Sequence, residues 1–430
     1  MRRPLIIEGA RAIDPGVGLD AEVALVIADG KIEAIDPVPV PKEKDRYDGR
    51  GLWLLPGLID LHVHFRDPGF IYKEDLLSGS RAAAAGGFTT VVCMPNTMPP
   101  IDTVVRLNEL RERIERVQCA KILPAACLTK GSEGRELVDF QGLARAGAVA
   151  FTDDGRCPQD EDVMERCMRA VGSWGLIMEH AEDLDLSQKG SIHAGPVAET
   201  LGTKGIPRES EIRIVGRDLS LVRKTGARLH IQHLSCRESV ELIRQAKGEG
   251  LPVTCEACPH HLVLTVNACL GGDPVFKVNP PLREERDREA LLQGLCDGTI
   301  DAIATDHAPH SAEEKSGSLE EASFGMVGLE SAFPVLLTEL VESGIVGPSR
   351  LIELLFRGPA EILGLEGRGL VPGSPADLTL IDPQASSVLD PVAWQSKGRN
   401  CPFAGRQVRG KVIATIRGGD VVYGLPLRSS

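Results

Sequence analysis

Leu54-Leu55-Pro56-Gly57-Leu58-Ile59-Asp60-Leu61-His62-Val63-His64-Phe65-Arg66-Asp67-Pro68 begins as an apolar run punctuated by Pro-Gly and becomes an alternating polar pattern. On a β-strand successive side chains point to opposite faces, so Asp60, His62, His64 and Arg66 share one face. Leu61, Val63 and Phe65 pack on the other. Two imidazoles beneath an arginine make half a metal site beside a hook for an anion. Histidines two apart are a weak signal alone; the buried-strand run in front of them favours the metal reading.

Working outward, strand-like runs alternate with amphipathic helical stretches, the pattern of a parallel α/β sheet. Candidate strands cover 57–66, 88–94, 121–127, 147–152, 175–180, 227–233, 252–257 and 300–306, with helices between them such as 73–85 and 236–249. Eight such units predict a (β/α)8 TIM barrel, followed by a further helical region over 327–363. A doubly wound sheet is the alternative, but no GxGxxG or phosphate-loop signature stands near a strand end.

The two ends of the chain share a different character. Leu5-Ile6-Ile7 and Val23-Ala24-Leu25-Val26-Ile27 read as short strands, and Ala28-Asp29-Gly30-Lys31 as a tight turn into Ile32-Glu33-Ala34-Ile35. Residues 376–382 and 411–417 repeat the flavour. We therefore expect a small β-sandwich domain built from 1–56 and 366–430, with the barrel over 57–365.

A chain of 430 residues with 42% hydrophobic and 25% charged residues is long enough for one large and one smaller domain. The formal charge of −13 argues against nucleic acid or an anionic membrane as partner. Met1-Arg2-Arg3 leads into an apolar run broken at Glu8 and Arg11, which is neither a signal peptide nor a span. The eleven scattered cysteines read as reduced, cytoplasmic core residues. Cys255-Glu256-Ala257-Cys258 has redox or zinc spacing but lacks a second pair.

In such barrels chemistry gathers where strands end and loops begin. Those ends carry His62 and His64, then Asp153 and Asp154, His180, His233, and Asp306. Each alone would pass as a satisfied buried polar residue. Five strand ends delivering nitrogen or oxygen donors to one rim is a metal-site pattern, and imidazole with carboxylate suits zinc.

With these residues the chain resembles the amidohydrolase superfamily, and within it the class I dihydroorotases. Two segments carry the likeness: residues 60–68, and Ala304-Thr305-Asp306-His307-Ala308-Pro309-His310 with Lys315 following. Met94-Pro95-Asn96-Thr97, Phe151-Thr152-Asp153-Asp154-Gly155, Glu179-His180-Ala181-Glu182, Cys258-Pro259-His260-His261 and Gly369-Leu370-Val371-Pro372-Gly373 support it.

The resemblance implies a zinc-dependent enzyme, holding one or two Zn2+ ions, that reversibly cyclises N-carbamoyl-L-aspartate to L-dihydroorotate in pyrimidine synthesis. It implies that His62, His64 and Asp306 hold one metal, that His180 and His233 hold a second, and that Asp153 bridges them, with Asp154 the runner-up. Relatives such as hydantoinases use a carboxylated lysine there; this strand has none. A metal lowers the pKa of bound water from 15.7 to roughly 7, and Asp306 is the implied general acid and base for that nucleophile. Arg66, one pleat beyond His64, is placed to fork onto the unreactive substrate carboxylate. Asn96 and His310 complete the clamp by resemblance, Asn279 contacts the ring, and the Phe324-Gly325 backbone closes over it. The His260-His261 pair is expected behind the ligands, and His193 and His230 are expected to be structural. The polar loop 307–326 reads as a lid or as solvated surface. Competing readings are a catalytically silent subunit that scaffolds aspartate carbamoyltransferase, and a hydantoinase- or allantoinase-like cyclic amidase. Self-association and pairing with aspartate carbamoyltransferase both stand open.

Overall fold

The computed structural model describes residues 5–37, 45–365 and 367–424. Residues 1–4, 38–44, 366 and 425–430, which the expected domain boundaries and the Met1-Arg2-Arg3 reading include, lie outside the described residues.

Parallel pairing runs through the middle of the chain and returns to its start. Leu58–Val63 pairs with Phe88–Cys93, which pairs with Lys121–Pro124. Phe151 bridges Ala126 on one side and Ile177 on the other. Ile177–Glu179, Leu229–Ile231, Val253–Ala257 and Ala302–Ile303 continue in order. A parallel bridge from Val63 to His307 closes the circuit. The eight members form a (β/α)8 barrel, as expected, except that the fourth, expected over 147–152, is reduced to one bridging residue.

Local chemistry explains the alternation with helices. Asp75 caps Leu76–Ala85 by accepting from Ser78 N at 2.8 Å, and Ser78 Oγ accepts from Asp75 N in return. Glu161–Val171 starts on Asp160, which accepts from Asp162 N at 2.8 Å. The expected helix over 236–249 spans Arg237–Gly248. The region 327–363 is helical but broken, with π turns at Leu337–Val341 and Glu353–Arg357 between α segments.

The terminal segments pair with one another in one eight-stranded sheet. Trp53–Pro56 lies beside Leu378–Val388 on one side and Leu5–Asp14 on the other. The Asp29-Gly30 turn, both residues at positive φ, feeds Lys31–Ile35, whose Lys31 bridges back to Pro375. Alternation divides this sheet: Leu54 and Leu380 enter its own core, while Leu55 and Ile381 join the barrel core. Burial on both faces docks the barrel firmly against the sheet. No helix among the described residues is long and apolar enough to cross a membrane. None of the eleven cysteines is disulfide-bonded, and most are buried.

Candidate metal and substrate site

The first barrel strand behaves as its alternation requires. Leu61, Val63 and Phe65 enter the hydrophobic core, whereas Asp60, His62 and His64 turn into the barrel. Asp60 ties this strand to the eighth: Thr305 Oγ1 donates to it at 2.6 Å, and His62 N donates to it at 3.0 Å. Burial pushes the Asp60 carboxyl up to about 7.

Four imidazoles form one continuous group. Ring centroids lie 5.2 Å apart for His62 and His64, 5.1 Å for His62 and His233, and 4.6 Å for His180 and His233. His62 Nε2 is 3.4 Å from Asp154 Oδ1 and 3.6 Å from Asp306 Oδ1. His64 Nε2 is 3.0 Å from Asp306 Oδ1 and 3.6 Å from Asp154 Oδ2. His180 Nδ1 is 2.8 Å from His233 Nε2 and 3.7 Å from Asp154 Oδ1. Asp154 thus touches imidazoles from both halves of the group.

The neighbour Asp153 does not. Its carboxylate accepts from Leu128 N at 2.9 Å, Thr129 N at 3.1 Å and the Thr129 hydroxyl. The structure thus places Asp154, the runner-up, among the histidines and sets Asp153, the expected bridge, apart from them. The physical reason lies just past the third strand, where the buried N–H groups of Leu128 and Thr129 take the first aspartate and leave the second to enter the barrel. Burial raises the Asp153 carboxyl. Burial also opposes charge on Asp154, but His62, His64 and His180 outweigh it and hold that carboxyl far below its usual range.

The partners of the outer ring nitrogens decide the tautomers. Glu256 Oε1 lies 2.9 Å from His62 Nδ1, and a carboxylate can only accept, so Nδ1 carries the hydrogen. Burial raises Glu256, yet His230 and His62 bring it down to about 2, keeping it charged. Asn96 Oδ1 plays the same part for His64 Nδ1 at 3.0 Å, while Asn96 Nδ2 donates to Asp154 Oδ2 at 2.9 Å. The Nε2 lone pairs of His62 and His64 then face carboxylates, an unfavourable arrangement without positive charge between them. Asp154 Oδ1 and His233 Nδ1 are buried without a hydrogen-bond partner. Imidazole and carboxylate donors so disposed fit a divalent cation.

Beside this group, Arg66 Nη2 is 3.2 Å from His310 Nε2, and Arg66 Nε donates to Pro309 O at 3.3 Å. Burial, with Arg66 and Lys73 nearby, brings His310 down to about 3, so its ring is neutral. Arg66, His233 and Asp306 all hold positive φ (58°, 30° and 47°), backbone strain concentrated at the site.

The remaining expected residues divide. Asn279 Nδ2 donates to Glu182 Oε2 at 2.8 Å and lies 3.4 Å from His180 Nε2, so it joins the cluster. Asn96 also joins, its amide bonded to His64 and Asp154. Gly325 has its N–H on Lys277 O at 3.0 Å and its carbonyl on Asn400 Nδ2 at 3.0 Å. These two bonds fix the backbone of Gly325 in the loop that follows the eighth strand. Its φ of 135° and an ideal Cβ position 2.8 Å from Ala308 O exclude a side chain there. Phe324 packs under Lys277 Nζ, 4.4 Å from the ring centroid. Lys315 Nζ donates to Lys277 O at 3.0 Å and Ser323 O at 2.9 Å, stitching the loop that follows Asp306; burial lowers it to about 7.

A family profile described as Dihydro-orotase-like matches residues 51–239. The chain is 46% identical to a dihydroorotase of Anaeromyxobacter dehalogenans, covering 97% of this chain and 98% of that one. It is 43% identical to a dihydroorotase of Aquifex aeolicus, covering 97% and 99%. The chain belongs to the dihydroorotase family. Among solved structures, the L-hydantoinase (dihydropyrimidinase) from Arthrobacter aurescens superposes with a TM-score of 0.88 at 27% identity, covering 98% of this chain and 96% of that one. A dihydropyrimidinase from Brevibacillus agri shares the fold, with a TM-score of 0.85 at 22% identity, covering 98% and 95%. The resemblance read from residues 60–68 and 304–310 is thus borne out at the level of the family and the superfamily fold.

Sequence reasoning misses two groups that steer the imidazoles, Glu256 and Glu182, and the contacts of Asn96 with His64 and Asp154. Glu256 has a visible signal, a lone acid in the apolar strand Val253–Ala257, but the flanking cysteines obscure it. Cys255 donates to Thr299 O at 3.3 Å and takes no part in the site. His260 and His261 are buried side by side, and His261 Nε2 meets Pro280 O at 2.9 Å. His230 bonds Thr254 and Glu256, and His193 meets Arg283.

Proposed function

We propose that this protein is a zinc-dependent dihydroorotase that interconverts N-carbamoyl-L-aspartate and L-dihydroorotate plus water. The observation that carries the reading is the convergence of His62, His64, His180, His233, Asp154 and Asp306 in one buried group beside the Arg66–His310 pair. The barrel, 57–365, is taken as the catalytic domain and the paired terminal segments, 1–56 and 366–430, as its composite β domain. Reduced cysteines accord with a cytoplasmic setting.

His62, His64 and Asp306 would hold one Zn2+, His180 and His233 a second, with Asp154 shared. Zinc so held supplies a Lewis acid that acidifies water and polarises a carbonyl oxygen. The chain's own residues do the rest. Arg66 orients the carboxylate that does not react, with neutral His310 fixing the guanidinium. Asp306 takes the proton from water as the ring amide opens and delivers it to the departing ring nitrogen. In the reverse direction it takes the proton from the ureido nitrogen as the ring closes and passes it to the departing hydroxyl, which leaves as water. The absence of a lysine in 147–154 and the presence of Arg66 favour dihydroorotate over a hydantoin.

Metal-replete protein is expected to hydrolyse L-dihydroorotate and leave hydantoin and allantoin untouched. Removing metal with a chelator should abolish the activity, and added Zn2+ should restore it. Turnover of hydantoin in preference to dihydroorotate, or full activity after chelation, would refute the reading.

Arg66→Lys should raise KM for dihydroorotate about tenfold, because an ammonium cannot reproduce the bidentate fork and roughly 1.5 kcal/mol of charge-assisted contact is lost. Steady-state kinetics check it; an unchanged KM removes Arg66 from the carboxylate contact.

A further inference from the structure

Glu182 takes no part in the steps above, yet it is only 8% exposed and sits between His180 and Asn279. Its Oε2 lies 3.2 Å from His180 Nε2 and 2.8 Å from Asn279 Nδ2. Its backbone is held independently, the carbonyl accepting from Gln159 Nε2 at 2.9 Å and Cys157 Sγ at 3.1 Å. We propose that Glu182 is a positioning residue that sets, through one carboxylate oxygen, both the tautomer of His180 and the orientation of the Asn279 amide.

A carboxylate accepts and does not donate, so His180 must carry its hydrogen on Nε2. That choice leaves the Nδ1 lone pair facing His233 Nε2 at 2.8 Å and Asp154 Oδ1 at 3.7 Å. With the hydrogen on Nδ1 instead, His180 would bond His233 directly and this half of the cradle would close to a cation. Glu182 is therefore to His180 what Glu256 is to His62 and Asn96 to His64, an outer partner that aims a ligand nitrogen inward. Each of these partners has a second contact; that of Glu182 is toward the substrate side, because the same oxygen takes the Nδ2 end of Asn279. The Oδ1 end is then the one left for a donor on the substrate, and ligand and substrate contact are coupled through a single atom.

This inference rests on the metal-dependent reading above. The test is competition titration of metal-free protein with Zn2+ against a chromophoric chelator, which reads binding and not turnover. Wild type is expected to take up two ions. Glu182→Ala should weaken one of them about 10- to 100-fold and leave the other unchanged, and Glu182→Gln, whose amide oxygen still accepts from His180 Nε2, should weaken the same ion by less. In a His180→Ala background, Glu182→Ala should add no further loss, since Glu182 acts through that ring. KM for dihydroorotate should rise in Glu182→Ala, and no further in Glu182→Ala/Asn279→Ala than in Asn279→Ala alone. Unchanged isotherms in both Glu182 variants, or losses that add to that of His180→Ala, overturn the proposal while leaving the metal reading intact. A wild-type protein that binds no Zn2+ overturns both.

Discussion

Asp306→Asn should lower turnover at least about a thousandfold, the scale of a lost general acid and base, while the protein stays folded. Asparagine is nearly isosteric with aspartate and, unlike most residues, tolerates positive φ, so the backbone at 47° needs no rearrangement. What changes is the charge and the capacity to hold a proton at the carboxylate oxygen 3.0 Å from His64 Nε2. Because one group serves both directions, hydrolysis of dihydroorotate and cyclisation of carbamoyl aspartate should fall by the same factor. The equilibrium constant of the reaction cannot depend on the catalyst, so initial rates measured from both sides supply an internal check. An Asp306→Asn variant retaining a tenth of wild-type turnover in either direction would remove Asp306 from proton transfer. Loss of turnover together with loss of the circular dichroism signal would point to folding instead.

The barrel is legible in the sequence because parallel strands buried on both faces leave apolar runs that composition alone exposes, and amphipathic helices separate them. The fourth strand is overread for the same reason. Ala148-Val149-Ala150-Phe151 looks like a strand, yet only Phe151 pairs with both neighbours. The first strand is legible down to side-chain direction, since Asp60 and His62 obey the period of two that any strand imposes and His64 continues it one residue past the strand's end, whereas Arg66, at φ 58°, lies beyond that rule. That rule lapses at Asp153-Asp154, where the strand has already given way to a turn. The direction of adjacent carboxylates there depends on which N–H groups approach from Leu128 and Thr129, a tertiary fact with no local trace. The contact between Glu182 and Asn279 leaves no local trace in the same way, although the resemblance names both residues. They lie 97 positions apart and gain meaning only when the fifth strand's loop and the 277–281 segment meet.

The adjacent aspartates offer the sharpest separation of chemistry from architecture. Asp154→Ala should eliminate activity and most of the bound metal, because this carboxylate touches His62, His64 and His180 and no other described side chain reaches both halves of the group in its place. Its removal takes away a buried charge together with the imidazole contacts that favour it, two opposed effects, so in metal-free protein stability should change far less than activity. Asp153→Ala should do the reverse. It leaves Leu128 N and Thr129 N without their acceptor in a dry environment, at a cost of about 3 kcal/mol. The urea midpoint of metal-free protein should fall accordingly, while metal stoichiometry measured after gentle refolding stays near that of wild type. Residual turnover in Asp153→Ala is expected because its carboxylate contacts the third strand's end and not the imidazoles. If Asp153→Ala instead lost its metal and Asp154→Ala kept it, the side chains would have to exchange places in the working enzyme, and Asp153 would be the shared ligand after all.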